Sequence, residues 1–547
     1  MIQVEEATRN DGRLTATNMA YAVAVDPQFT VPVRPCLAPG LVQVPLVDGM
    51  AFVGTGNRQT VLRGRAAVRL IPRLLPALDG TRTVAQLTEV LPDVRESDLS
   101  ACVSLLYVSG LLQDGPAGTV LEVIPPEVAG YLGRNLDTTR VNRNRDEACE
   151  RLARTRVLIA GPEPLATLLR TELTGAGVDA HSWNNPAGAA GEGDFLVAVD
   201  DGDAAAMARV DEACRRAGIG WLRTAAGERT AEIGPLFDAR YTGCYDCFAK
   251  ARSAPAGVPS PARTATWAAL AATEVVHLLS RVGQVPSMSA CTSFDLEEWT
   301  QSVSGAYRRP GCPTCLPTGA PSAVDGPALA HRYEQSVAFP PREWLNPKEH
   351  QAHYRPANHA LQKYNKEYSA APRIPLGDGA LPHLSGLLLR TAGLRDLGDQ
   401  AFPGQVSRWA PTGGNLGSVQ AYLLALDVPG LDPAWYFYQR GDHSLARIRP
   451  ASAGISPVVG DPRPAALLVL TGGLQVVAAK YHDFAYRILC LDAGVALAQL
   501  SALADEYGLT ASFADRWDDT AINAALRLDP DSEPVTAVVA LSPRNER

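Results

Sequence analysis

Two pairs of cysteines constrain the fold of this chain more than any other feature. Cys244 and Cys247 form one Cys-x-x-Cys pair, and Cys312 and Cys315 form the other. Each pair places two sulfurs on one tight turn, and four thiolates are a ligand set that zinc prefers in a closed, tetrahedral site. We therefore predict that these four cysteines hold a structural zinc ion that ties the two ends of a domain together. The alternative is four unrelated thiols.

Length and composition set the broad class. The chain has 547 residues, of which 46% are hydrophobic and 20% charged. At about 150 residues per domain, a soluble protein of this length has three or four domains. The formal net charge is −8, so no basic surface favours a nucleic-acid partner.

The sequence also indicates a compartment. The first residues are polar and acidic, without the basic and apolar regions of a signal peptide. We find no continuous apolar run of the ~18 residues that would cross a membrane. A cytoplasmic protein with no membrane partner is expected, and in a reducing compartment its cysteines are thiols or metal ligands.

The sequence of the N-terminal quarter predicts a small peptide-binding unit. Residues 1–30 are expected to be flexible, and residues 31–130 combine a β-hairpin turning at Asp48-Gly49 with three helical segments. This order is typical of a winged helix. Acidic residues around the candidate reading helix argue against a DNA phosphate contact. An extended peptide that adds a strand to the hairpin edge is the functional interpretation, and a purely structural cap domain is the alternative.

Residues 150–318 predict an α/β scaffold. An apolar strand from Arg156, a helix from Pro164 and a second strand from Phe195 follow one another, as in a parallel sheet. The first turn lacks the Gly-x-Gly-x-x-Gly pattern, and Glu163 would repel a phosphate. We therefore expect no ATP or NAD at this turn.

Residues 335–547 predict an α+β domain with a glycine-rich turn at its centre. The turn runs from Arg408 through Pro411 to Gly413 and Gly414, and an apolar strand follows. Alone, this pattern fits a connecting loop as well as a ligand-binding turn. A densely polar run between Lys480 and Gly494 leads into a long apolar helix.

Several motifs in order carry a family resemblance. The C-terminal domain resembles the nitroreductase-like flavoproteins, and among them the dehydrogenases that oxidise azolines in thiazole- and oxazole-modified peptides. The match rests on Arg-x-x-Pro-[Ser/Thr]-Gly-Gly, on Tyr-x-Tyr, on the Lys-Tyr…Tyr-Arg…Asp-Ala-Gly run, and on Phe513 followed by Asp518-Asp519. The continuation from Asn415 to Gln420 departs from the family pattern.

The other two units carry resemblances of their own. The α/β unit with its cysteine pairs resembles a degenerate ThiF-like domain that docks peptides rather than adenylating them. The N-terminal unit resembles the leader-peptide recognition element of ribosomal peptide biosynthesis. Together they imply a multidomain α+β and α/β chain, made of a winged-helix unit, a zinc-containing ThiF-like scaffold and a nitroreductase-like domain.

The resemblance implies FMN-dependent oxidation of peptide thiazolines or oxazolines to azoles. A ribosomal precursor peptide, with its leader and its azoline-containing core, is the implied substrate. A YcaO-type cyclodehydratase is the implied partner, and a homodimer the implied assembly. Two alternatives remain, namely a non-catalytic leader-binding scaffold that stimulates the cyclodehydratase and a general NAD(P)H-dependent nitro or quinone reductase.

Residue roles also follow from the resemblance. Lys480 would be the general base and Tyr481 a proton relay, although a surface lysine beside a core tyrosine is the alternative. The implied flavin contacts are Arg408, Thr412, Gly413, Gly414, Asn415 and Arg487, with Arg516 and Arg544 as further phosphate contacts. Arginine suits the phosphate, and glycine lets the backbone approach the flavin ring.

Overall fold

The structure is a computed structural model. It describes residues 3–6, 14–25, 30–54, 59–115, 123–183, 191, 193–252, 254–288, 290–309, 311–315, 329–338, 360–377, 381–396, 406–451 and 464–544. The chain divides into two compact units. Unit 1 comprises the described residues from 3 to 338, and unit 2 those from 360 to 544.

The first part of unit 1 holds two small antiparallel sheets and five helices among the described residues. Its elements are β1 (Gln3–Glu6), β2 (Leu14–Thr15), α1 (Ala16–Val25), β3 (Pro35–Leu37), β4 (Val42–Leu46), β5 (Gly49–Val53), β6 (Gln59–Arg63), α2 (Arg65–Arg69), α3 (Ile71–Leu74), α4 (Val84–Val90), α5 (Glu96–Val108) and β7 (Leu112–Asp114). The larger sheet has the order β2-β1-β6-β5-β4, and β3 pairs with β7.

Local sequence explains much of this part. The β4–β5 hairpin turns where the Asp48-Gly49 pair predicts, with Leu46 opposite Gly49. Helix α4 begins at a capping box, in which Thr83 and Gln86 each bond the other's backbone. Within residues 1–30, β1 pairs with β6, β2 pairs with β1, and α1 packs on α5. The flexibility expected of this stretch stays a prediction.

The second part of unit 1 is built on a seven-stranded sheet. Its elements are α6 (Pro126–Asn135), α7 (Arg145–Arg154), β8 (Arg156–Ala160), α8 (Leu165–Gly175), β9 (Asp179–Ser182), β10 (Phe195–Val199), α9 (Ala204–Ala217), β11 (Trp221–Ala226), β12 (Thr230–Phe237), α10 (Tyr245–Ala249), α11 (Pro261–Ser280), β13 (Ala290–Asp295), β14 (Thr300–Gly305) and α12 (Leu329–Ser336). The order is β14-β13-β12-β11-β10-β8-β9.

The predicted parallel sheet is present. Strands β9, β8, β10 and β11 run parallel, and β12 to β14 continue the sheet antiparallel. Apolar side chains of α6, α7, α8 and α11 cover one face, and those of α9 and α10 cover the other. Burial on both faces accounts for the continuous apolar run of β10.

A buried ion-pair network lies beside the carboxyl end of β10. Arg223 is fully buried, and its guanidinium donates to Asp200 at 2.6 Å and to Glu232 at 2.8 Å. Arg252 donates to the other Glu232 oxygen at 2.9 Å. Two cations thus balance two carboxylates inside the domain.

Unit 2 is a second α+β body. Its elements are β15 (Arg373–Pro375), α13 (Pro382–Ala392), β16 (Val419–Ala425), β17 (Ala434–Gln439), β18 (Ser444–Pro450), β19 (Ala466–Gly472), α14 (Leu474–Tyr481), α15 (Ala485–Ala504), β20 (Leu509–Phe513), α16 (Asp519–Leu526) and β21 (Val535–Pro543). All pairings in its sheet are antiparallel, in the order β15-β18-β17-β16-β19-β21-β20. The predicted mixed α/β multidomain class is confirmed.

Both faces of this sheet are buried. Leu423, Tyr436 and Leu468 face one core together with α13 and α15, whereas Tyr422 and Trp435 face the other with α16. The alternation follows the two-residue period of a strand. The sheet is therefore a rigid base for the loops at its ends.

Helices α14 and α15 form one apolar segment. Within the described ranges, Leu474–Ala504 is the one stretch long and apolar enough to cross a membrane by length and composition, whereas no such stretch was expected from the sequence. The segment breaks at His482, whose φ is +47°, and its inward residues Leu489, Ala496 and Leu500 are buried against the sheet and its loops. These are features of two packed helices of a globular core.

We expect the substitution Arg223→Met to lower the free energy of unfolding of unit 1 by about 3–5 kcal/mol, because it leaves Asp200 buried without its cation. Arg229→Met is the matched control. That side chain is 47% exposed and its ion pair with Asp295 lies at the surface, so its loss should cost less than about 1 kcal/mol. Urea unfolding measures both, and equal effects would contradict the assignment.

Candidate functional site

The glycine-rich turn of unit 2 has an unusual backbone. Gly414, Asn415 and Gly417 all have a positive φ, of 59°, 58° and 63°. Glycine adopts this conformation without strain, and asparagine tolerates it better than most residues. Thr412 closes the turn, since its carbonyl accepts from Asn415 N at 2.9 Å and its hydroxyl from Gly417 N at 2.9 Å.

A buried carboxylate fixes this turn to α15. Asp492 accepts a hydrogen bond from Gly413 N at 2.8 Å and another from the Ser418 hydroxyl. Burial raises the pKa of Asp492, and the two hydrogen bonds oppose the rise. Ile488 packs on the turn so closely that a Cβ on Gly413 would lie 2.7 Å from its Cγ2. The glycine-rich turn is therefore held firmly against α15.

Lys480 and Tyr481 converge on Gly414. A Cβ at Gly414 would lie 2.5 Å from Lys480 Nζ and 2.7 Å from the Tyr481 hydroxyl oxygen. Any side chain at this position would displace both groups. The structure thus brings together the two residues predicted to be catalytic and the turn predicted to bind the flavin.

The environment of Lys480 changes its acidity. Its Nζ is buried and has no hydrogen-bond partner within the described residues. Burial disfavours the charged form and lowers the pKa of Lys480 to about 8. An amine of this kind can accept a proton near neutral pH.

Two arginines meet on the other side of the turn. A Cβ on Gly417 would lie 2.4 Å from Arg408 Nη1 and 2.5 Å from Arg440 Nη1. Arg440 donates to the carbonyls of Gly417 and Val419, and Arg408 donates to that of Gln362 at 2.8 Å.

Neither arginine has an ion-pair partner in the part of the chain that is described. Arg408 Nη1 is buried without an acceptor. Burial lowers the pKa of Arg408 to about 10, and burial together with the charge of Arg408 lowers the pKa of Arg440 to about 9. A buried guanidinium beside a half-buried one that keeps a free donor meets the electrostatic requirement of an anion site.

A cavity of about 440 Å³ lies beside Gln420, near the start of β16. Gly473 and Ala479 also line it, together with the half-buried ion pair between Lys366 and Glu533. Gln420 links the cavity to the arginines, because its side-chain oxygen accepts from Arg440 at 2.8 Å. The cavity therefore extends the site beyond the turn.

The remaining predicted contacts lie elsewhere. Arg487 lies on α15 next to Ile488, with its guanidinium 5.9 Å from the Phe484 ring. Arg516 is exposed in the loop after β20. Arg544 pairs with Asp505 at 3.6 Å. Val535 lies opposite Thr471, at the end of the sheet near the turn. Arg544 is nine residues further along, at roughly 30 Å for an extended chain. Arg544 therefore lies away from the turn, whereas β20 directs Arg516 toward the Val535 end of the sheet.

Four residues of the site were not predicted from the sequence to belong to it. They are Gln362, Gly417, Arg440 and Asp492. A carboxylate inside an apolar helical run is a signal that would have indicated Asp492, because buried charges need partners. The third glycine of the turn would similarly have indicated Gly417.

The four paired cysteines of unit 1 form a compact cluster. Their sulfurs all lie within 4.8 Å of one another, and Cys244–Cys312 and Cys247–Cys315 are 3.6 Å apart. Tetrahedral metal–sulfur bonds of about 2.3 Å imply about 3.8 Å between sulfurs, whereas a disulfide implies about 2.05 Å. The backbone N–H of Arg309 donates to Cys247 Sγ at 3.2 Å. This group can hold a metal ion.

The β8–α8 turn is filled by the chain's own groups. The Glu163 carboxylate accepts from Thr167 N at 3.1 Å, near the start of α8. A nucleotide phosphate binds at this end of a helix in other α/β folds. A Cβ on Gly161 would lie 2.6 Å from Val199 Cβ, so the turn also packs tightly on β10.

No protein-family model matches the chain, and no curated protein matches its sequence. Solved structures are similar to parts of it, and three of them serve as examples. One is a heterocyclase in complex with substrate and cofactor, at 20% identity and a TM-score of 0.42, over 51% of this chain and 39% of that chain. Another is a nitroreductase from Anabaena variabilis, at 25% identity and a TM-score of 0.33, over 39% of this chain and 45% of that chain.

The third is MccB from E. coli, at 14% identity and a TM-score of 0.39, over 54% of this chain and 99% of that chain. The chain thus spans about two fifths of the heterocyclase and less than half of the nitroreductase. All three TM-scores are low, so these likenesses carry no argument about what this chain does.

We expect Lys480 to react as an amine of pKa about 8. Acetylation with acetic anhydride across pH 6 to 11, followed residue by residue by mass spectrometry, measures this. Scaled to its own plateau, the native profile should be half-maximal near pH 8, and that of the urea-unfolded chain near the ordinary value of about 10.4. Coincident profiles would contradict the assigned burial.

Proposed function

We propose that the chain is an FMN-dependent azoline dehydrogenase that oxidises thiazolines or oxazolines of a ribosomal precursor peptide to azoles. The observation that carries the proposal is the convergence of Lys480, Tyr481 and Gly414 beside the Arg408–Arg440 pair. These residues belong to the motifs on which the sequence resemblance rests, except Arg440.

The site suits FMN by its chemistry. The phosphate is dianionic, and the unpaired guanidinium groups of Arg408 and Arg440 flank Gly417, where no Cβ intervenes. Gly413 and Gly414 leave backbone surface open to a flat ring. Arg408, Arg440 and the turn from Thr412 to Asn415 would hold the cofactor, and Arg487 on the adjacent helix is a further candidate.

When bound, FMN supplies the acceptor for the hydride that leaves the azoline ring. Lys480 would take the ring proton next to the peptide carbonyl. At pH 7.5, a pKa of about 8 leaves about a quarter of the amine neutral, against about 0.1% for a lysine of ordinary pKa. Tyr481, on the same side of Gly414, would orient the amine or pass the proton on.

Unit 1 would hold the precursor peptide rather than activate it. Glu163 occupies the helix start where a phosphate would bind, and Arg223 neutralises Asp200 at the carboxyl end of β10. Both arrangements disfavour ATP. The azoline rings would therefore be formed by a separate YcaO-type cyclodehydratase, with the leader bound to the winged-helix unit and the ThiF-like scaffold.

The cysteine cluster would bind zinc as a structural ion. Its four sulfur ligands complete a tetrahedron and leave no position for substrate. Cys244 is the N-cap residue of α10, and Cys312 and Cys315 follow β14, so the metal would hold distant segments of the scaffold together.

The exposed side of α15 favours a homodimer. No charged residue occurs at its exposed positions, which are Tyr486, Cys490, Leu491, Gly494, Val495, Ala498, Ser501 and Ala502. An uncharged, partly apolar face of this length is typical of an interface.

Leu491→Glu should give monomers in sedimentation velocity, because dimer formation would then bury a glutamate charge in the interface. Leu426→Glu, at a 37% exposed position outside it, should stay dimeric. A monomeric parent chain would contradict the assembly.

We expect purified protein to be yellow and to remove two hydrogen atoms per ring from a synthetic thiazoline peptide, measured by mass spectrometry. Lys480→Met should retain FMN and lose at least ~100-fold in rate, as expected for loss of a general base. Lys363→Met, at an exposed position, is the control.

Colourless protein that FMN cannot reconstitute would favour the non-catalytic scaffold. Rapid NAD(P)H oxidation with quinones in the absence of peptide would favour a general reductase. Azole formation by Lys480→Met at the parent rate would refute the role of Lys480.

Metal analysis should find about one zinc ion per chain, and Cys312→Ser should lose the ion and loosen the scaffold. Cys214→Ser is the matched control, because Cys214 is equally buried in unit 1 but lies outside the cluster. If both variants keep the same zinc content, the cluster is not the metal site.

A further inference from the structure

Within the described chain, the hydrogen-bond acceptors for Arg408 and Arg440 are all neutral oxygens. They are the backbone carbonyls of Gln362, Asn415, Gly417 and Val419 and the side-chain oxygen of Gln420. No substitution can give a backbone carbonyl a charge. Gln420 is therefore the acceptor through which the sequence sets the charge around the two arginines.

Gln420 is held in a defined position beside Arg440. It is 4% exposed and lies on β16, where its backbone pairs with Thr471 of β19. Its side-chain oxygen lies 2.8 Å from Arg440 Nη2. Glutamate has the same length and shape as glutamine, so a carboxylate at this position would form an ion pair with Arg440. The neutral amide leaves the charge of Arg440 without compensation.

The nearby carboxylate of Glu533 is already bound by other groups. Its charge opposes the lowering of the pKa of Arg440, but it forms an ion pair with Lys366 at 2.5 Å. It also accepts from the hydroxyls of Tyr422 at 2.9 Å and Thr471 at 2.7 Å. Glu533 is thus satisfied by its own partners, and the arginine pair keeps its charge.

The pair therefore presents two positive charges and a free donor. Arg408 Nη1 has no acceptor within the described residues. The pKa of Arg408, about 10, and that of Arg440, about 9, are lowered by burial but still lie above physiological pH, so both groups are charged. A ligand with two negative charges would balance them, whereas a monoanion would leave one uncompensated.

We propose that Gln420 determines the charge of the ligand that this site selects. By remaining neutral, Gln420 leaves both arginine charges to the ligand, and the site takes a dianion such as a phosphate monoester in preference to a monoanion. A glutamate at this position would supply one negative charge from within the protein and would weaken the binding of a dianion. The identity of that dianion as the phosphate of FMN rests on the proposed function.

The test compares FMN with riboflavin, which has the same ring and ribityl chain but no phosphate. The full chain is freed of bound flavin, and quenching of flavin fluorescence measures both affinities at pH 7.5. In the parent chain FMN should bind at least ~100-fold more tightly than riboflavin, because hydrogen bonds to charged groups are stronger than neutral ones. Equal affinities would overturn the proposal.

Gln420→Glu should lower the ratio of the two affinities at least ~10-fold, because its carboxylate competes with the phosphate for Arg440. Gln475→Glu is the matched control. Gln475 lines the same cavity as Gln420 but is exposed, so salt and solvent screen a charge placed there. The control should keep the parent ratio. An unchanged ratio in Gln420→Glu, or equal losses in both variants, would overturn the proposal.

The unfolding temperature of the flavin-free protein separates a charge effect from general damage. Gln420→Glu should raise it, because the new carboxylate would pair with Arg440. Gln420→Met removes the acceptor without adding a charge, so it should lower the unfolding temperature and keep the parent affinity ratio. A lower unfolding temperature in Gln420→Glu would mean that the amide acts by packing alone, against the proposal. If Gln420→Glu does not fold, the parent comparison of FMN with riboflavin decides.

Failure of the proposed function gives a different result. If neither flavin binds, glycerol 3-phosphate replaces FMN, and dimethyl phosphate, a monoanion, replaces riboflavin at equal ionic strength. Glycerol 3-phosphate should raise the unfolding temperature of the parent chain more than dimethyl phosphate does, and Gln420→Glu should lose this difference. That result would refute the proposed function alone. Equal effects of the two phosphates on the parent chain would overturn the selectivity assigned to Gln420.

Discussion

The hydrogen bonds of one buried carboxylate hold the candidate site together. Asp492 lies on α15 and accepts from Gly413 and Ser418 at the two ends of the glycine-rich turn. It therefore fixes the backbone that meets Lys480 and Tyr481 on one side and the two arginines on the other. A neutral side chain of similar size would keep the packing but weaken both bonds.

Site residues that belong to a local sequence motif could be predicted, whereas those that join the site through a tertiary contact could not. Gly413, Gly414, Lys480 and Tyr481 were predicted because ordered local motifs carry them. Arg440 was missed because its role arises only when the end of β17 lies beside the turn, which is a tertiary contact. Arg544 follows a strand pointing away from the site, and only the sheet register reveals this.

The same distinction between local and tertiary determinants applies to the fold. The Asp48-Gly49 hairpin and the Thr83 cap depend on local chemistry, and the structure has both. The strand β1 was not predicted, because its four residues gain their strand conformation by pairing with β6. Strand preferences depend on cross-strand neighbours.

The two arginines without an ion-pair partner would connect binding of the proposed cofactor to stability. Arg440 is buried and Arg408 is half-buried beside it, so their like charges repel each other when no anion lies between them. A bound dianion would remove that repulsion and stabilise the native state in proportion to its affinity. The cofactor would then be a structural element of unit 2, and a chain that failed to acquire it would be the one most exposed to unfolding and proteolysis.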